Sequence, residues 1–145
     1  MEKKEMEQRD LAFLKAALMR SWRSDTSSFP EEWSTANPMR GQCAVTALIV
    51  QDHFGGKLVR VTFAEGKLTG SHYYNELDNG RHVDFTRMQF AEGTTFGPQE
   101  YRERGYVLSS QSTAKRYELL KNRVEGVLER YRSNMKMLDA CPLRT

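Results

Sequence analysis

The chain has 145 residues, 39% of them apolar and 28% charged, the size and balance of one globular domain that can bury a core without staples. Its formal net charge of +3 comes from basic residues spread along the sequence among glutamates, which argues against a nucleic-acid footprint. The longest apolar run, Ala44 to Val50 with Thr46 inside it, falls far short of the roughly 20 residues needed to span a bilayer. Met1-Glu2-Lys3-Lys4-Glu5 alternates charge where a signal peptide would carry an apolar core, so a cytoplasmic chain is expected. In a reducing compartment Cys43 and Cys141 read as two thiols, and Cys141, beside Pro142, as incidental.

Glu5 to Trp22 predicts an amphipathic helix, with Leu11, Leu14, Leu18 and Trp22 at three- and four-residue spacing and Phe13 and Ala17 widening the stripe. Arg23 to Gly41, with its serines, Pro30, Asn37 and Pro38, reads as a loop in which Trp33 must bury against something. Cys43 to Phe54 predicts a second helix. Val45, Ala47, Leu48, Ile49 and Val50 leave it little polar face, and Gly55-Gly56 ends it.

A Val-rich strand is expected over Lys57–Phe63, then a turn at Glu65-Gly66-Lys67. Ser71–Leu77 and Arg81–Thr86 read as a hairpin. A short helix is expected over Pro98–Arg104, a short strand at Tyr106-Val107-Leu108, and a long helix from a Ser112 cap to about Leu138. Its buried stripe is Tyr117, Leu120, Val124, Val127, Leu128 and Tyr131. A nearly all-apolar helix followed by antiparallel strands suggests an α+β domain over 1–145. The helix that begins at Cys43 lies on a small sheet, flanked by N- and C-terminal helices.

Cys43 is the first helical residue after Arg40-Gly41-Gln42. A helix N-terminus offers unpaired N–H groups and the positive end of the dipole, which favour a thiolate and can hold an oxyanion. Gly41 would let backbone approach a substrate closely. A buried, inert cysteine is the competing reading.

The hairpin turn decides whether this thiol has partners. A two-residue Asn79-Gly80 loop puts His72 and Asp84 on opposite faces; a three-residue Asp78-Asn79-Gly80 loop pairs Asp84 with Tyr74 and puts them on one face. The longer loop also collects Tyr73, Leu77, Val83 and Phe85 on one side, and His72, Glu76, His82, Asp84 and Thr86 on the other. It is therefore the expected register. Cys43 as nucleophile, His72 as base and acid, and Asp84 as the group orienting His72 are then the parts of a thiol triad.

His82 is the second choice as base, whereas His53 lies about 15 Å along the helix from Cys43, too far to act. Asn37 and Gln42 are candidate oxyanion donors, with Asn37-Pro38 as a plain turn the stronger alternative for the first. Trp33 and Tyr74 are candidates to line a substrate groove. Zinc on Cys43, His72, His82 and Asp84 lacks any close-spaced ligand pair, so no metal or cofactor is expected.

Gly41-Gln42-Cys43, His72-Tyr73-Tyr74-Asn75-Glu76 and His82-Val83-Asp84-Phe85-Thr86 resemble the active-site segments of transglutaminase-like proteins, and the order Cys, His, Asp that of papain-like folds. Ala44, Tyr74 and Phe85 stand where those enzymes usually have Trp, Trp and Pro, so the substrate class does not carry over. A wider resemblance, to the bacterial YunG-like family, rests on several runs: Gly41 to Leu48, Gln51 to Gly56, His72 to Asn75, Asp84 to Arg87 and Tyr117 to Leu120. It implies the fold and transfers no activity.

Together these features point to a cysteine-dependent hydrolase or acyltransferase acting on an amide or thioester carbonyl of a small molecule or peptide. The alternative is a non-catalytic binding protein on a papain-like scaffold. Neither reading calls for a nucleic acid or membrane partner, and oligomeric state is not legible.

Overall fold

The computed structural model describes residues 3–139, so Cys141 lies outside the described residues. Helix α1 (Lys3–Ser21) carries the expected stripe, with Leu11, Leu14, Ala17 and Leu18 buried. Trp22 continues its ladder through a bond from its N–H to Leu18 O and buries its ring, donating Nε1–H to Thr46 Oγ1. Helix α2 (Cys43–Phe54) is buried from Val45 to Val50 without a break, as its composition demands.

The sheet is antiparallel, in the order β3-β2-β1-β4, with β5 also pairing with β1. The strands are β1 (Lys57–Glu65), β2 (Leu68–Glu76), β3 (His82–Val83), β4 (Thr95–Phe96) and β5 (Glu100–Arg102). Helix α3 (Arg104–Leu108) and the long α4 (Gln111–Asp139) close the chain. The helices form one layer: α1 packs along α4, and α2 lies between α4 and the strands β1 and β2. Leu58, Leu77 and Val83 contribute the sheet's share of this main core. The opposite face holds a smaller cluster of Val59, Val61 and Tyr74, packed against Phe96.

The hairpin between β2 and β3 takes the three-residue loop. Asn75 faces Val83, Glu76 faces His82, Leu77 N–H donates to Arg81 O, and Gly80 has φ +85°. Gly suits that left-handed position because it has no Cβ to clash.

Three expectations are corrected. The second hairpin strand, expected over Arg81–Thr86, pairs only at His82–Val83; the chain then leaves the sheet into a 3-10 turn over Arg87–Gln89. Residues 98–108 swap their expected elements: 100–102 form a strand because the free edge of β1 at Leu58–Arg60 is there to pair with, and 104–108 form a helix that buries Val107 in the main core. The cap of α4 is Ser110, whose Oγ accepts the Thr113 N–H, and not Ser112, which lies inside the helix.

Candidate active site

Cys43 is the first residue of α2, and no side chain caps the N–H groups of that first turn. Free N–H groups there are the ordinary state of an uncapped helix start. The thiol is partly exposed, and its Sγ lies 4.0 Å from the Ser71 carbonyl oxygen, one residue from His72 on β2.

His72 is wholly buried. Its Nε2 lies 2.8 Å from Asp84 Oδ2. The register brings the two together: Asn75 faces Val83, and Asp84 directly follows that last paired residue. Tyr74 stacks on the His72 ring, Phe90 meets it edge-on at 5.0 Å between centroids, and Phe96 lies 6.1 Å away. Arg87 reaches Asp84 Oδ2 at 3.5 Å and lies over the Phe96 ring.

Burial works against a charge on His72, but the hydrogen bond to Asp84, with the nearby Cys43 thiol and the Asp84 carboxylate, outweighs it. The pKa rises to about 9. His72 Nδ1 makes no hydrogen bond of ordinary geometry, nor does Asp84 Oδ1. With Nε2 committed to Asp84, Nδ1 is the nitrogen left for the thiol that acts on this ring.

The loop before Cys43 is held on several sides. Gly41 N–H donates to Gln89 Oε1, Ser28 N–H donates to Gly41 O, and Ser27 Oγ donates to Arg40 O. Gly41 has φ +75°, and a Cβ there would lie 2.2 Å from Ser27 Oγ. Its missing side chain therefore makes room for the protein's own loop rather than for a substrate. Arg40, itself buried, bonds Glu65 Oε1 at 2.8 Å, and Glu65 Oε2 accepts the Ala91 N–H. That backbone bond, with Arg40, holds the Glu65 carboxyl below its usual pKa range. Glu65 thereby ties the loop before Cys43 to the one after the hairpin.

The other candidates are placed as follows. Gln42 is fully buried and donates Nε2–H to Arg23 O, so its amide braces the loop and its Oε1 is left without a partner. Asn37 spends its amide on Gln89 O, tying the loop to the 3-10 turn, and the Trp33 indole donates to Pro38 O within the loop; no described bond links either to Cys43. Tyr74 is buried beside His72, its hydroxyl accepting from Gln99 Nε2. His82 is exposed, 3.2 Å from Glu76 Oε1, and has no bond to Asp84. His53 stands in the last turn of α2, at the other end of the helix from the thiol. Among the described residues no group of three or more His, Cys, Asp or Glu is arranged to hold a metal ion, and no helix is long and apolar enough to cross a membrane.

Sequence reasoning missed Ser27, Gln89 and Arg116. Arg116, on α4, has its charge disfavoured by burial and favoured by Cys43. It bonds Thr26 O at 3.4 Å and Thr113 Oγ1 at 3.1 Å. No spacing rule links such residues to Cys43, because they bond its preceding loop or lie near it from separate parts of the chain. An open cleft of about 550 Å³, with Arg60, Thr62 and Thr95 in its walls, extends to Ser71 and so to the neighbourhood of the thiol.

A buried helix that starts at a cysteine, laid on an antiparallel sheet carrying a histidine–aspartate pair, defines a small α+β protein with its candidate chemistry at one helix end. The family model described as "YunG protein" matches residues 10–129, and the chain belongs to the YunG family. It is 42% identical over 101 residues to "Uncharacterized protein YunG" of Bacillus subtilis (strain 168), a match covering 70% of this chain and 74% of that one. No solved structure matches it.

Proposed function

We propose that the domain is a papain-like or transglutaminase-like thiol enzyme, a hydrolase or acyltransferase acting on an amide or thioester carbonyl. One observation carries this reading. A wholly buried His72 has one ring nitrogen fixed by Asp84 and the other left to Cys43 at a helix start.

Asp84 accepts the Nε2–H and so fixes the tautomer that presents Nδ1 to the thiol. The thiol proton rests on Nδ1, as the raised pKa of His72 requires at neutral pH, and the thiolate attacks the substrate carbonyl. The oxyanion forms against the uncapped N–H groups of the first turn of α2. The imidazolium then protonates the departing amine or thiol, leaving an acyl-thioester on Cys43. Water, or an acceptor nucleophile, gives its proton to Nδ1 and takes the acyl group. A His72 that holds its proton to about pH 9 is the acid this leaving step needs at neutral pH. The cleft beside Ser71 gives the acyl group a place to lie.

The test is iodoacetamide alkylation of Cys43, read by peptide mass spectrometry at about pH 7 and compared with His72→Gln and Asp84→Asn. The wild type should react at least about tenfold faster than either variant. Equal rates in all three would remove the reading. Acyl electrophiles of graded size, run against Cys43→Ala as the blank, would then define the substrate.

A further inference from the structure

Away from the thiol, where the end of α1 meets the middle of α4, lies a second cleft of about 510 Å³. Arg20, Arg23, Arg123 and Arg130 stand around it, with Asn122 and Gly126 between them on α4. Arg123 is already matched: it forms a two-pronged pair with Asp25 and donates to Ser21 O at the end of α1. Arg20 touches only the Tyr131 hydroxyl, at 3.5 Å, and that ring. Among the described residues Arg20, Arg23 and Arg130 have no carboxylate within ion-pair distance. Arg23 adds to the field that lowers the pKa of the Asp25 carboxyl without bonding it, and it stands exposed with Arg20 and Arg130. Four guanidinium groups in the walls against that one carboxylate leave the concavity net positive, a surplus that a compact polyanion would match.

Gly126 is the second, independent observation. It stands inside a 29-residue helix, where glycine is a poor choice beside alanine. Packing does not ask for it, since a Cβ there would meet nothing within 4 Å. What the missing side chain leaves is room on the helix wall of the arginine cleft. Charge around a concavity and open space on its wall are the two things a bound anion needs.

We infer that this cleft binds a small phosphate-bearing molecule with two or more linked phosphates. A single carboxylate would match one guanidinium, whereas a polyphosphate brings several charges within one short span. The exposed Glu118, Glu125 and Glu129 on the same helix interrupt the basic surface, which does not run on as the stripe that tracks a nucleic-acid backbone.

The probe is inorganic triphosphate, titrated calorimetrically against the whole chain, with sulfate at matched ionic strength and a single-stranded oligonucleotide as comparison arms. Triphosphate should bind, and both the Arg23→Gln/Arg130→Gln double variant and Gly126→Ala should weaken it by about tenfold or more. Gly126→Ala should at the same time keep or raise the thermal midpoint, which separates lost room from lost folding. Cys43→Ala should bind as the wild type does, so the result stands apart from the thiol-enzyme reading. Triphosphate binding no tighter than sulfate, unchanged binding in either variant, or an oligonucleotide binding more tightly through the same arginines would overturn the inference.

Discussion

The two faces of the sheet are built by different means. The face under the helices is a large aliphatic core of Leu18, Leu48, Ile49, Leu58, Leu120 and Val124, drawn from three helices and the strands. The other face has a small cluster of Val59, Val61 and Tyr74 packed against Phe96 of β4, with Phe63 and the loop residue Phe90 beside it. It is this thinner face that buries His72 and spends its packing on holding a polar ring in one orientation. The main core lies on one side and the His72–Asp84 pair on the other, so changes on the two sides should have different signatures.

The largest effect should come from the helix face. Leu48→Ala should cost about 3 kcal/mol in urea denaturation, because the buried site cannot collapse around the lost carbons. Val61→Ala, on the thinner face, removes two carbons rather than three and should cost about 1–2 kcal/mol. Equal costs would mean that the thinner face is as tightly packed as the helical one.

Next comes the dependence of stability on pH. His72 has its pKa raised from 6.5 to about 9 in the folded protein, so between these values the folded chain holds more protons than the unfolded one. Stability from this group is fully present below about pH 6.5 and is lost as pH climbs toward about 9. Urea midpoints measured across that window should fall for the wild type, and Asp84→Asn should flatten the decline by about half or more. A decline that Asp84→Asn leaves untouched would assign the titration to another group.

The smallest effect separates the two histidines of the hairpin. His82 is exposed beside Glu76, and exposed ion pairs contribute little. His82→Ala should leave both the urea midpoint and the Cys43 alkylation rate at wild-type values. A fall in that rate would bring His82 back as a base.

Much of this was legible in advance where one element supplies the whole signal. The apolar run of 45–50 fixes a buried helix starting at Cys43, and the stripes of α1 and α4 fix their inner faces. The pairing of His72 with Asp84 was legible too, because a hairpin register depends on one short turn and on side-chain alternation, both local. Local reasoning failed where a partner far along the chain decides the outcome. Residues 100–102 became a strand because β1 had an edge to offer, and Asp84 left the sheet within two residues of the turn's first pair.

By itself, then, the sequence determined three helices, a hairpin and a thiol at a helix start, since periodicity and turn chemistry act within a few residues. Only the tertiary structure decided what surrounds that thiol. Gln42 turned from a candidate donor into a brace, and Gly41 from a substrate approach into a packing necessity, because Ser27 and Gln89 arrive from other segments. The same holds for Arg116 and for the arginine cleft. Burial and charge at these places are sums over neighbours brought in by folding, and no spacing along the chain encodes such a sum.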